Sequence, residues 1–337
     1  MTRVGVTLVL VTIGALACGP TRSSSDDGAT AATSTSSSTD GSSESESGSE
    51  SESGSETSTE ETETETGEDT DPGLTACPDV GAAQMQGVVR APALGESSGM
   101  VRSRTHQRLW VHNDSGDIAR LFALALDGSL LATVELAGAD AVDWEALALG
   151  PGPGDGDWLY AGDIGDNMEA RSSITVYRLR EPDLGGVDVL AIDDWDALEL
   201  TYPDTPHDAE TLLVDPISGD LFIVTKGAQT LLYRRPAPLS SGALEQLPDP
   251  SFPSAIATAG DISPLGDFVL VRSYADAFAW LRGPGQTIGE AMLADPCSMP
   301  LVAEQQGETI AIDADGRAYF TLSEGTDQPL WRFSFAG

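Results

Sequence analysis

Asp208-Ala209-Glu210-Thr211-Leu212 opens a short apolar strand behind an acid, and Ser218-Gly219-Asp220 then makes a turn. Leu221-Phe222-Ile223-Val224-Thr225-Lys226 follows as an aromatic strand, and Leu231-Leu232-Tyr233-Arg234 as a third. The unit recurs. Upstream are Glu96-Ser97-Ser98-Gly99-Met100 with Trp110-Val111-His112-Asn113-Asp114, and Asp143-Trp144-Glu145-Ala146-Leu147 with Trp158-Leu159-Tyr160-Ala161-Gly162-Asp163. Downstream are Gly260-Asp261-Ile262-Ser263 with Phe268-Val269-Leu270-Val271-Arg272, and Gly307-Glu308-Thr309-Ile310 with Tyr319-Phe320-Thr321-Leu322. The leading acids Glu96, Glu145, Glu210, Asp261 and Glu308 are 49, 65, 51 and 47 residues apart. A period near fifty with three or four short strands per unit predicts an all-β fold, a β-propeller. Five blades fit the five units. Six is the alternative, because the 65-residue interval has room for an irregular blade. Glycine and aspartate stand where hairpins need positive φ, as in Leu126-Asp127-Gly128 and Asp315-Gly316. Pro and Gly interrupt the remaining windows too often for long helices.

The chain has 337 residues, 54 acids, 17 bases and a formal charge of −37. Fifteen acids fall in residues 19–73, which leaves 39 acids against 15 bases in residues 74–337. Such a surface repels phosphate backbones and anionic headgroups, so nucleic acid is excluded as a partner. Cationic ligands suit it, calcium above all. Lys226 is the single lysine, so amine chemistry has one candidate.

Arg3, an apolar run over residues 4–16 and the closing Gly14-Ala15-Leu16-Ala17-Cys18 read as an export signal. Thirteen apolar residues are too few to span a bilayer. Small residues before a cysteine resemble a bacterial lipobox, with Ala15 where leucine is usual, and make Cys18 the lipidation site. A plain secretory signal is the alternative. Gly19 after the cysteine points to the outer membrane. Residues 1–18 are therefore expected to be a lipoprotein signal peptide, and 19–76 a disordered acidic linker of Ser, Thr and Glu. Residues 77–337 are the propeller. The membrane would be met only through the N-terminal lipid. The expected partner is a small molecule or an envelope or extracellular protein. Cys77 and Cys297 remain, an even pair in an oxidising compartment. A disulfide between them requires the fold to bring the start of the domain back to its end; two free buried thiols are the alternative.

Innermost propeller strands line a channel, so the five leading acids should converge at one mouth. Their mutual repulsion would raise their pKa values, and calcium would relieve it. Glu145, Glu210 and Asp261, with Asp163, Asp166 and Asn167 from Gly162-Asp163-Ile164-Gly165-Asp166-Asn167, form the expected metal set. Glu96, Asn113, Arg171 and Glu308 are expected to line the channel and meet the ligand. A strand-opening acid can instead cap a turn. His112 held by Asp114 is the candidate general base; His207 is a weaker one.

Three strings occur in order: Trp110-Val111-His112-Asn113-Asp114-Ser115-Gly116, Asp143-Trp144-Glu145-Ala146-Leu147 and Gly162-Asp163-Ile164-Gly165-Asp166-Asn167. Together they resemble a family of secreted bacterial propellers related to esterase-like and phytase-like propellers and, distantly, to the SdiA-regulated group. The resemblance covers roughly residues 94–335. It implies the fold, and by analogy with calcium phytases a calcium ion flanked by basic side chains. Only Arg120, Arg171, Arg178, Arg234 and Arg272 could take that basic role here. Two functions follow. The first is a non-enzymatic, surface-tethered propeller that binds a ligand or partner at one face, with calcium in the channel. The alternative is a calcium-dependent esterase or phosphoesterase.

Overall fold

Strands such as Leu221–Thr225 and Phe268–Arg272 carry apolar residues without alternation, and every position in both is buried. A strand covered on one face only would alternate. Here each sheet stands between two neighbours, so both faces are covered. The computed structural model describes residues 73–336. The expected signal peptide, Cys18 and the linker up to residue 72 lie outside the described residues.

Five sheets follow one another around the ring. Blade 1 contains Ser97–Arg102, Arg108–Asn113, Arg120–Ala125 and Leu130–Leu136. Blade 2 contains Trp144–Gly152, Gly154–Asp163, Ile174–Arg180 and Asp196–Thr201. Blade 3 contains Ala209–Val214, Leu221–Thr225, Leu232–Arg235 and Glu245–Gln246. Blade 4 contains Ala259–Ile262, Phe268–Arg272, Ala277–Leu281 and Cys297–Met299. Blade 5 contains Ala311–Ile312, Ala318–Thr321 and Gln328–Ser334, and its outermost strand is Gln84–Val89 from the start of the domain. The protein is a five-bladed β-propeller. The long interval hides no sixth blade. The chain leaves blade 2 to add Val189–Ile192 as a parallel fifth strand on blade 1, then returns to complete blade 2.

Cys77 and Cys297 form a disulfide with a Cα–Cα distance of 5.5 Å. Cys297 lies in the outermost strand of blade 4. The start of the domain thus laps both final blades: it is stapled to blade 4 and paired with blade 5.

Large apolar side chains fill the wedges between blades. Trp110, Leu121, Trp144 and Leu159 meet between blades 1 and 2, and Phe222, Val224, Ile262 and Trp280 between blades 3 and 4. Phe122 meets Phe320 between blades 1 and 5. Innermost strands also have a free backbone edge toward the axis, and unpaired edge groups need partners. Side chains of the preceding blade supply some of them. Ser98 Oγ donates to the Glu145 carbonyl at 2.9 Å, and Thr258 Oγ1 to the Gly307 carbonyl at 3.0 Å.

Candidate functional site

The hairpin after each innermost strand marks one end of the propeller, and the start of that strand marks the other end. In blades 2 and 3 one extra residue interrupts the ladder there, between Trp144 and Ala146 and between Ala209 and Thr211. The bulged residues are Glu145 and Glu210. A bulge re-aims its side chain, and both glutamates line the channel. Aligned on the hairpins, the same position is Ser98 in blade 1, Thr258 in blade 4 and Glu308 in blade 5. One to three residues past the end of the second strand stand Asp114, Lys226, Tyr274 and Glu324, which add to the same mouth.

Asp114, Asp143 and Glu145 each offer a carboxylate oxygen, and the three oxygens lie within 4.8 Å of one another. Glu145 is 3% exposed. Burial, together with the nearby Asp114, Asp143 and Glu308, pushes its carboxyl up to about 9. Asp114 and Asp143 are also shifted upward, first by burial and then by neighbouring acids. The loop holding Gly165 closes over this group. A Cβ there would stand 2.5 Å from Asp143 Oδ2 and 2.7 Å from Glu145 Oε1, so any larger residue would have to push these carboxylates aside.

Across the mouth, the Glu324 carboxyl is pushed up to about 9 by burial and by its hydrogen bond with Glu308. The Tyr274 hydroxyl also bonds Glu308, and burial raises its pKa. Lys226 Nζ contacts Glu210 Oε1 and stands 5.6 Å above the Tyr274 ring. Glu210 Oε2 is buried with no hydrogen-bond partner. Beneath lies a void of about 170 Å³, lined by Ser98, Met100, Glu145, Glu210 and Ile310 and too tight for a water molecule. The mouth is an acidic dish with a closed floor.

The expected metal set is not assembled as a set. Glu145 belongs to the acidic group, whereas Glu210 is paired with Lys226. Asp163 accepts the Val142 and Asp143 N–H groups at 3.1 Å and the Arg171 guanidinium at 2.7 Å. Asp166 accepts the Ala170 and Arg171 N–H groups at 2.7 Å, and Asn167 is exposed. Their loop is a scaffold that holds Asp143 and Gly165 in place, with Arg171 as its internal clamp. Asp261 sits three residues beyond the ring position and caps backbone: it accepts Ile262 N–H and, from blade 5, Ile312 N–H, both at 2.8 Å. Glu96 precedes the ring by two residues and is exposed at the rim. Asn113 is tied to Glu96 N–H, the Ala93 carbonyl and Asp117. Glu308 does line the mouth.

His112 and Asp114 do not hydrogen-bond one another. His112 is fully buried, with Nδ1 2.8 Å from the Asn113 carbonyl and its ring edge-on to Trp144 at 5.5 Å. Burial lowers its pKa. Asp114, two residues on, faces the mouth instead. His207 pairs with Asp204 and Tyr233, away from the acids. Of the arginines that might have flanked a cation, Arg272 is fully buried and paired with Glu304 at 2.7 Å.

The acid-first alignment of the repeats missed Ser98, Asp143, Lys226, Tyr274 and Glu324. Alignment on the hairpin glycines of blades 4 and 5 (Gly266 against Gly316) would have paired Tyr274 with Glu324 after the second strand.

No family model and no curated protein matches the chain. Solved structures do resemble it. One is described as a gluconolactonase from Xanthomonas campestris, at 11% identity and a TM-score of 0.46, covering 79% of this chain and 97% of that one. A putative gluconolactonase has 14% identity and a TM-score of 0.44, covering 77% and 94%. A luciferin-regenerating enzyme has 10% identity and a TM-score of 0.41, covering 74% and 95%. Likeness at this level says nothing of the chemistry at the mouth.

Proposed function

We propose that this protein is an envelope-tethered propeller, held by a lipid at Cys18, that takes up calcium at the channel mouth and there binds a ligand or partner. The observation that carries the reading is the Asp114, Asp143 and Glu145 group, three hard oxygen donors within 4.8 Å. Buried carboxylates this close repel one another unless a proton or a cation intervenes. Calcium accepts six to eight oxygen ligands in loose geometry, so three protein oxygens would leave positions for water or for oxygens of a bound molecule. Magnesium demands tighter octahedral geometry and fits less well. The test is a thermal melt with calcium, magnesium or chelator, run on the native chain and on Asp114→Asn. Calcium at about 1 mM should raise the native melting temperature and leave the variant unmoved. Identical melts in calcium and chelator would sink the reading.

A second reading, cation-dependent ester or phosphoester hydrolysis, is supported by one feature. A carboxyl held neutral beside an acceptor, as Glu324 is beside Glu308, can serve as a general acid. An esterase and phosphatase screen of the native chain and Glu324→Gln decides it. Turnover in the first and a loss of about a hundredfold in the second would favour the enzyme.

A further inference from the structure

We infer that the side of the mouth built by blades 3, 4 and 5 binds an organic cation, a primary ammonium or guanidinium group carried on apolar carbons. This deepens the cation-binding reading of the mouth and names a second class of occupant for a separate part of it.

Four observations support the assignment. Lys226 already places an ammonium there: its Nζ meets Glu210 Oε1 and stands over the Tyr274 ring. The chain's own side chain thus demonstrates that carboxylate and aromatic face together accommodate such a group. Glu210 is 4% exposed, yet its second oxygen has no donor. An ionised carboxylate only accepts hydrogen bonds, and leaving a buried acceptor empty is costly. The Glu308 carboxyl bonds both the Glu324 carboxyl and the Tyr274 hydroxyl, which places two acids beside the ring. Finally, Ile256 is 40% exposed although its backbone bridges Lys226, so an apolar surface borders the charged one.

An aromatic face is no ligand for a hard metal ion but attracts a nitrogen cation. The compact oxygen group of Asp114, Asp143 and Glu145 has the opposite character, without a ring beside Lys226. Division of labour follows: metal on the blade 1 and 2 side, nitrogen cation opposite.

Calorimetric titration of the full chain with hexylguanidinium, hexylammonium and hexanol tests this. Both cations should bind, and hexanol should bind about tenfold more weakly or not at all. Glu308→Gln with Glu324→Gln should weaken hexylguanidinium by about tenfold. Tyr274→Leu, which leaves every carboxylate in place, should weaken it by about threefold. Asp114→Asn with Asp143→Asn should remove the calcium response and weaken hexylguanidinium less than the glutamine pair does, because these acids reach the opposite side only through the field they share with Glu308. Equal binding of hexanol overturns the inference, as does unchanged hexylguanidinium affinity in both the glutamine pair and Tyr274→Leu. A chain that binds hexylguanidinium but ignores calcium would overturn only the metal reading.

Discussion

Asp261 of blade 4 accepts the Ile312 N–H of blade 5 at 2.8 Å, so one carboxyl bridges the innermost strands of two blades. Burial pushes that carboxyl up to about 7. The folded state therefore holds a proton that the unfolded chain has released once pH passes the ordinary aspartate range. The linked stability is present below about pH 4 and is lost as pH rises through 7. Asp261→Asn should shrink the fall in melting temperature between pH 5 and pH 8, measured in chelator. An unchanged pH slope would count against the bridge as its source.

Glu145 extends the same sign to higher pH. With its carboxyl raised to about 9, the metal-free chain should lose further stability as pH climbs through 9. Glu145→Gln removes the buried charge. At pH 8 it should melt higher than the native chain in chelator and lower in calcium, a crossover that no purely structural role of Glu145 produces.

Gly165→Ala tests the site without touching a ligand. The added methyl would press on the Asp143 and Glu145 carboxylates, and their displacement should weaken calcium affinity by about tenfold or more. Equilibrium dialysis with radioactive calcium reads this directly. Native affinity in the alanine variant would mean that the three oxygens do not act together.

The Cys77–Cys297 link spans 220 residues. In the chain-entropy picture, closing so long a loop contributes about 5 kcal/mol. Cys77→Ser with Cys297→Ser should lower the denaturant midpoint accordingly while the folded circular dichroism spectrum persists, because Gln84–Val89 still pairs with blade 5.

The propeller was legible because its signal is periodic: apolar strands, hairpin glycines and a fifty-residue repeat survive irregularities in any one blade. The site was less so. Glu145, Glu210 and Glu308 are equivalent, but Glu96 and Asp261 imitate them at offsets of two and three residues, and a count of leading acids cannot tell a channel position from a rim or a backbone cap. Bulges decide the difference, and a bulge at Glu145 leaves no compositional mark. The string holding Asp163, Asp166 and Asn167 looked like a ligand loop because ligand loops and self-capping loops use the same residues. Asp163 and Asp166 satisfy backbone amides, which only the fold reveals. His112 was singled out beside Asp114 because alternate residues of a strand share a face, but the strand Arg108–Asn113 ends one residue before Asp114, which turns toward the mouth.

Upstream chain reaches the propeller at its hairpin end, where Leu74 N–H meets Asp267 in the first hairpin of blade 4. Three residues later comes Cys77. Any pull exerted along the upstream chain passes through the sulfur bridge into blade 4 and stops there. The strand that seals the ring begins further on, at Gln84, and is shielded from the tension. A domain tugged from this end would keep its ring shut and its acidic dish turned away from the point of traction.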